Sequence, residues 1–441
     1  MSIVEPTLLS LARAAAVSLA TLAVLLIGGP GAQSCPRGLR GLTFWVGMAA
    51  LLAPGFAFAL LSRDMFLQRE SLDAGYCLFM FGRYLQVALL ALWLFPPRMS
   101  DAAVHVLRLN GSPLWRRESR AWGRGLWIAC ALMFMLTFQE FEIAATWNMR
   151  SWAVAIFDAQ AGGLALRESL RLAILPFGIQ AVLLGILYGA RLPEPVAEPP
   201  AFKVVGRSMW ILAPAIGGWA IFASYPAILI GRGMDFLPNA ESPLALAPWR
   251  EILNTLILTS AATFIAWLLA GWIERRRGWR WLLALPGLLG PLLCGLLLLA
   301  AMQVPPLHLL RDTVFPVVSG LALVLLPFAL LLRFGIGTIG NREALHLARS
   351  SGGRRALWQI DGWPRLCAVL LLFCYGYGDF TINTLLAPPQ FTSASVRLLN
   401  LLHYGRSNAL MVMFILAFAV PLAAALLTAV CAQLYPRRRA S

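Results

Sequence analysis

The sequence has almost no lysine. Of its 36 basic residues only Lys203 is a lysine, and no glycine-rich loop precedes it. A phosphate-binding P-loop needs both features, so the chain carries no ATPase site of that type. Cysteine is also sparse, since only Cys367 and Cys374 among the seven are near neighbours and no C-x-x-C pair occurs. These absences argue against a disulfide framework or a metal site, and no cofactor is expected.

Charged residues make up only 13% of the chain, against about 25% in soluble domains. Hydrophobic residues reach 59%, and the mean hydropathy of +0.73 indicates a polytopic membrane protein. Apolar segments long enough to cross a bilayer predict an all-α fold with about 11 transmembrane helices. The predicted spans are residues 9–28, 42–62, 76–97, 125–147, 170–190, 208–231, 251–273, 280–302, 313–333, 366–387 and 408–434.

A stretch rich in proline and glutamate interrupts this pattern at 191–200. Its composition is incompatible with a helix and typical of a linker. We therefore predict a cytoplasmic linker at 191–207. It would separate a first domain at 1–190, with about five spans, from a second at 208–441, with about six.

The net charge of +16 has two possible meanings. It could indicate a nucleic-acid or anionic-lipid partner, but it could also reflect the arginine-rich cytoplasmic loops of a membrane protein. Successive loops between the predicted spans lie on opposite sides of the membrane, and the loops of one side carry more than twice as many basic residues as those of the other. The imbalance favours the second meaning. This asymmetry predicts an outside N-terminus and a cytoplasmic C-terminus, with lipid and no nucleic acid as partner.

The two longest cytoplasmic loops between predicted spans resemble each other at an offset of 241 residues. The matched residues are His105, Arg108 and Gly111 in the first loop and His346, Arg349 and Gly352 in the second. Spans 7 to 11 lie at about the same offset from spans 1 to 5. Two five-span units joined directly would lie in opposite orientations in the membrane. The unpaired sixth span gives the second unit the same orientation as the first. The halves are therefore predicted to be parallel repeats with a pathway at their interface.

These loops are similar to the E-A-A-x3-G-x9-I-x-L-P motif of binding-protein-dependent ABC importer permeases. The second copy reads His346-Leu-Ala-x3-Gly352, followed by Ile360-Asp-Gly-Trp-Pro364. The stretch at 379–406 looks like permeases of the ferric-iron and thiamine type, in which both halves are fused in one chain. The resemblance covers about residues 9–190 and 208–434, and it is strongest at 346–406.

This resemblance implies a multi-pass transport permease of type I architecture in a bacterial plasma (inner) membrane, rather than an enzyme. Two separate ATP-binding ATPase subunits would dock on the loops that carry Gly111 and Gly352, and an external solute-binding protein would deliver the solute. The substrate would be ferric iron or another small cation. The loops also have a simpler interpretation, in which arginine-rich segments lie on anionic lipid and each glycine forms an ordinary turn.

Ionisable residues within predicted spans form a second candidate site, because charges at membrane depth are costly and usually functional. Glu140 and Asp379 occupy matching repeat positions, Glu142 lies beside the first, and Arg83 is a candidate counter-charge. They could line a cation pathway or form a buried structural pair. Two other classes of function remain open, namely a proton-coupled secondary transporter using Glu140, Glu142 and Asp379, and a membrane scaffold or sensor that transports nothing.

Overall fold

The structure is a computed structural model that describes residues 3–34, 72–94, 124–189, 249–275, 279–339, 357–388 and 390–403. It also describes scattered positions within 105–116, at 347 and 350, and within 410–427. All regular secondary structure in these ranges is helical, and they contain no strand. The predicted all-α class is confirmed.

The chain divides into two compact units. Unit 1 comprises residues 1–51 and 59–226, and unit 2 comprises residues 52–58 and 227–441. The linker predicted at 191–207 lies outside the described residues, so its position stays a prediction.

The described residues of unit 1 form four longer helices and two short ones. In chain order they are α1 (Val4–Ser34), α2 (Leu72–Leu94), α3 (Arg124–Phe138), α4 (Glu142–Thr146), α5 (Trp152–Ala161) and α6 (Leu166–Gly189). Helices α1, α2 and α3 pack against one another in all three pairings. Helix α6 is lined outside by exposed apolar side chains such as Ile174 and Val182, as a lipid-facing helix requires.

Unit 2 is also helical throughout its described residues. It contains α7 (Trp249–Arg275), a 3-10 turn (Trp279–Ala284), α8 (Leu285–Leu288), α9 (Pro291–Ala301), α10 (Pro305–His308) and α11 (Phe315–Ile339). A π-helical turn (Trp358–Gly362) then leads into α12 (Trp363–Tyr377), α13 (Thr381–Leu386) and α14 (Ala394–His403). Helices α7, α11 and α12 pack mutually, as α1, α2 and α3 do in unit 1.

Five helices in the described residues are long and apolar enough to cross a membrane: Val4–Ile27, Gly125–Thr146, Leu166–Ile186, Trp249–Arg275 and Phe315–Phe334. A sixth candidate is a pair of helical segments, Leu282–Leu288 and Pro291–Ala301, bent by 119°. The protein is thus a multi-pass membrane protein. Predicted spans at 42–62 and 208–231 lie outside the described residues, so the total of eleven remains a prediction.

The sixth candidate was predicted as one continuous span at 280–302, but the structure bends it sharply. Gly290 has φ of +94°, a conformation that residues with a side chain rarely adopt. Pro291 then starts α9. The first backbone N–H of a helix has no partner within that helix, so the missing N–H of proline costs nothing there. The residue pair Gly290-Pro291 therefore both ends α8 and redirects the chain.

Gly287 allows the bent segment to lie directly against α11. A Cβ built on Gly287 would overlap the backbone carbonyl oxygen of Leu323 and would lie 2.9 Å from the Pro327 ring. Small residues permit this close helix approach in membranes, where packing rather than hydrophobic burial holds helices together.

We predict that Gly287→Ala lowers the free energy of unfolding by about 1–3 kcal/mol, because the added methyl group forces two backbones apart. Gly178→Ala is the matched control, since a Cβ at Gly178 of α6 meets no atom within 4 Å. The measurement is the thermal unfolding midpoint of the purified chain in detergent. Equal midpoints for both variants would show that α8 and α11 do not pack as described.

Candidate functional site

The first candidate residue, Glu140, lies at a break in a buried helix of unit 1. Helix α3 ends at Phe138, and the Glu140 N–H donates to the carbonyl of Thr137 at 3.3 Å. Its carboxylate accepts two hydrogen bonds. Oε1 accepts one from the Ile143 N–H at 3.1 Å, and Oε2 accepts one from the Tyr84 hydroxyl at 2.5 Å. Glu140 is only 8% exposed. The carboxylate therefore satisfies a backbone donor that the interrupted helix leaves free.

Asp379 occupies the corresponding break in unit 2. Helix α12 ends at Tyr377, and the Asp379 N–H donates to the carbonyl of Gly376 at 3.2 Å. The carboxylate oxygen Oδ1 accepts from the Ile382 N–H at 2.8 Å. In both units the carboxylate thus bonds the amide three residues further on, at the start of the next short helix. A phenylalanine, Phe141 or Phe380, follows the carboxylate each time.

Serine caps begin the next helix of each unit. Ser151 Oγ accepts from the Val154 N–H at 3.1 Å at the start of α5, and Ser393 Oγ accepts from the Val396 N–H at 3.4 Å at the start of α14. Both interactions follow the usual N-cap pattern. The sequence analysis missed these caps, although the Ser-x-x-Val pattern that occurs in both units could have revealed them.

In each unit, a side-chain hydroxyl of the first helix also accepts a hydrogen bond from the first residue of the helix that the serine caps. Ser10 of α1 accepts from the Trp152 N–H at 3.3 Å, and Thr255 of α7 accepts from the Ala394 N–H at 2.8 Å. The two units therefore share three local hydrogen-bond patterns: a carboxylate at a helix break, a serine cap and a hydroxyl from the leading helix.

Arg83 and Glu142 both lie near the break of unit 1. Arg83 is buried on α2, and its guanidinium carbon lies 5.3 Å from the ring centroid of Tyr84, the residue that bonds Glu140. Glu142 is the first residue of α4 and half-buried, and its carbonyl accepts from the Thr146 hydroxyl at 2.7 Å. The structure thus brings three predicted residues, Arg83, Glu140 and Glu142, into one region.

A second polar cluster in unit 1 was not predicted. Arg13 of α1 forms an ion pair with Asp73 of α2 at 2.7 Å and donates to the carbonyl of Arg150 at 2.7 Å. The Arg150 side chain in turn pairs with Glu5 at 3.2 Å. Arg13 is largely buried, whereas its partner Asp73 is exposed. This cluster joins α1, α2 and the residues before α5 at one end of the unit.

Only part of the predicted cytoplasmic motif is described. His105 is exposed, and Gly111 is exposed with φ of +68° in the left-handed region that favours glycine. The Asn110 N–H donates to the Val106 carbonyl at 3.0 Å, which closes one helical turn before this glycine. Gly111 is therefore a turn residue, as both interpretations of the loop expected. Arg108, His346, Arg349 and Gly352 lie outside the described residues.

No group of three or more His, Cys, Asp or Glu side chains that could hold a metal ion occurs in the part of the chain that the structure describes. Comparisons with protein-family models, curated proteins and solved structures found no match.

We predict that Glu140→Leu lowers the free energy of unfolding by about 1–3 kcal/mol, because it leaves the Ile143 N–H and the Tyr84 hydroxyl without their acceptor. Glu140→Gln keeps one acceptor oxygen and should cost less. The readout is the thermal unfolding midpoint followed by tryptophan fluorescence.

The control is Glu168→Leu, which removes an exposed carboxylate from the first turn of α6 and should change little. If Glu140→Leu unfolds at the wild-type temperature, the carboxylate does not stabilise the break.

Proposed function

We propose that the chain is the permease subunit of an ATP-driven ABC importer, in which two parallel repeats form the solute pathway. The observation that carries this proposal is the carboxylate at a helix break in each unit, at the two positions that the sequence repeat pairs. Duplicated membrane units commonly place their solute site at such interrupted helices.

The breaks also favour a class of solute. A helix interrupted within the apolar region exposes backbone groups that are tolerated only inside protein or beside a water-filled cavity. Ionisable side chains at that depth usually mark an ion or substrate pathway. Because Glu140 and Asp379 are both acidic, we propose a small cation, ferric iron among the candidates, as the solute.

ATP would be hydrolysed on two separate subunits, because the sequence has no P-loop of its own. Those subunits would contact the loops of Gly111 and Gly352 on the cytoplasmic side of a bacterial inner membrane. A solute-binding protein would deliver the cation on the outer side, where the N-terminus lies. Closure of the ATPase pair would then open the pathway outward in an alternating-access cycle.

Two other functions account for fewer of these features. A proton-coupled transporter has use for the carboxylates but none for a pair of matched cytoplasmic loops. A scaffold or sensor has use for the loops but none for matched carboxylates. An importer permease uses both.

The test is solute uptake by proteoliposomes that contain the chain with its ATPase and binding protein. We expect uptake to require ATP and the chain to copurify with two ATPases. Uptake by the chain alone, driven by a proton gradient without nucleotide, would overturn the proposal.

Variants at the loop glycines sharpen this test. We expect Gly111→Asp to leave assembly intact and to uncouple ATP hydrolysis from uptake, because the larger residue strains a turn at the ATPase contact. We expect Gly352→Asp to uncouple hydrolysis from uptake more strongly, because the sequence of its loop matches the family motif more closely.

Gly163→Asp is the matched control. Gly163 is also exposed, has φ of +91° and offers open space, but it lies after α5 on the predicted outer side. Uncoupling by Gly163→Asp, or full coupling in both loop variants, would show that the cytoplasmic loops do not contact the ATPase.

A further inference from the structure

Two arginines in the first turns of α6 lie at one end of a helix that is long enough to cross the membrane. Arg167 and Arg171 are both exposed. Residues four apart in an α-helix share a face, with Cβ atoms about 5–6 Å apart, so both guanidinium groups can reach one anion. Within the described residues, neither arginine has an ion-pair partner.

The same side of α6 continues as an apolar surface. Ile174 and Val182 lie further along it and are 66% and 65% exposed. Helix α6 is also the least buried of the five membrane-crossing helices in the described residues. An apolar side exposed on such a helix suits contact with acyl chains, and arginines at the helix end extend toward the headgroups.

Hydrogen bonds within the protein position the start of α6. The Ser169 hydroxyl donates to Gln160 Oε1 of α5 at 2.7 Å, and Ser169 is buried. The Leu164 N–H donates to the Ala159 carbonyl at 2.9 Å, next to the turn at Gly163. The helix end that carries the two arginines is therefore formed without a ligand, which lowers the entropic cost of binding one.

The charges nearby leave this patch positive. Three acidic residues lie on α6 or on α1, α3 and α5, the helices that pack most against it, namely Glu5, Asp158 and Glu168. Glu5 already pairs with Arg150 at 3.2 Å. Partial burial raises the pKa of the Asp158 carboxyl, and no arginine offsets that effect. Glu168 is the remaining negative charge, and it lies about 100° around the helix from Arg167.

The topology does not account for these arginines. Arginines of a membrane protein are concentrated in its cytoplasmic loops, whereas the start of α6 lies on the predicted outer side. Two arginines on one face there call for a local partner. Because the guanidinium group binds phosphate through paired N–H donors, a phosphate headgroup is a partner of suitable chemistry.

We propose that Arg167 and Arg171 bind the headgroup of one anionic phospholipid, such as phosphatidylglycerol, whose acyl chains lie along Ile174 and Val182. An uncompensated positive patch favours an anionic headgroup over a zwitterionic one, whose own cation is repelled. The site needs only the fold of unit 1, so it goes beyond the proposed function and does not depend on an ATPase or on transport.

The test measures which lipid lies against α6. The purified full chain is placed in phosphatidylcholine nanodiscs that contain a small fraction of phosphatidylglycerol or phosphatidylcholine with a photoactivatable acyl chain. Mass spectrometry then maps the cross-linked peptides. We expect phosphatidylglycerol to label the α6 peptides about fivefold more than phosphatidylcholine, as basic side chains at a membrane surface favour anionic lipid. Equal labelling by the two lipids would overturn the proposal.

Double variants locate the site. Arg167→Gln with Arg171→Gln should reduce labelling by phosphatidylglycerol to the level of phosphatidylcholine. Arg167→Lys with Arg171→Lys keeps both charges and should retain most of the difference, which a purely structural effect of losing arginine would not. The control is Arg250→Gln with Arg397→Gln, two exposed arginines of unit 2, which should leave the labelling of α6 unchanged. An undiminished difference in the first variant, or an equal loss in the lysine variant or the control, would contradict the site.

Discussion

A backbone N–H that a broken helix leaves free inside a membrane must find its acceptor within the protein, and the local architecture of both units depends on this constraint. No solvent is present in the apolar region to accept the bond. Glu140 and Asp379 provide the acceptor at 3.1 and 2.8 Å. Because each carboxylate serves the start of the next short helix, α3 and α12 can end early and the chain can turn.

Both units have a carboxylate that accepts a backbone N–H at the helix break, but the side chains beside that carboxylate differ. In unit 1 a protein hydroxyl, that of Tyr84, bonds the carboxylate directly. In unit 2 the break contains Asn383 and two serines, and one amide oxygen is unsatisfied. The two breaks therefore share a carboxylate that accepts a backbone N–H but differ in the other polar groups packed beside it.

The sequence predicted the helices well where a long apolar run is bounded by polar residues, as for α1, α7 and α11. It also paired Glu140 with Asp379. It did not predict that either carboxylate caps a break, because the acceptor role depends on where the helix ends. The bonds of Ser10 and Thr255 join residues 142 and 139 positions apart, which only tertiary packing can bring together. The bend at Gly290 was missed because hydropathy averages over a window and does not register a single φ angle.

The most direct test of two parallel repeats in one membrane is the sidedness of matched positions. Single cysteines at Glu5 and Arg250, near the starts of α1 and α7, and at Ser112 and Arg354, in the two loops, would be treated in intact cells with an impermeant thiol reagent. Parallel repeats with an outside N-terminus predict labelling at Glu5 and Arg250 and protection at Ser112 and Arg354. Labelling at only one member of either pair would show that the halves are inverted and would contradict the account.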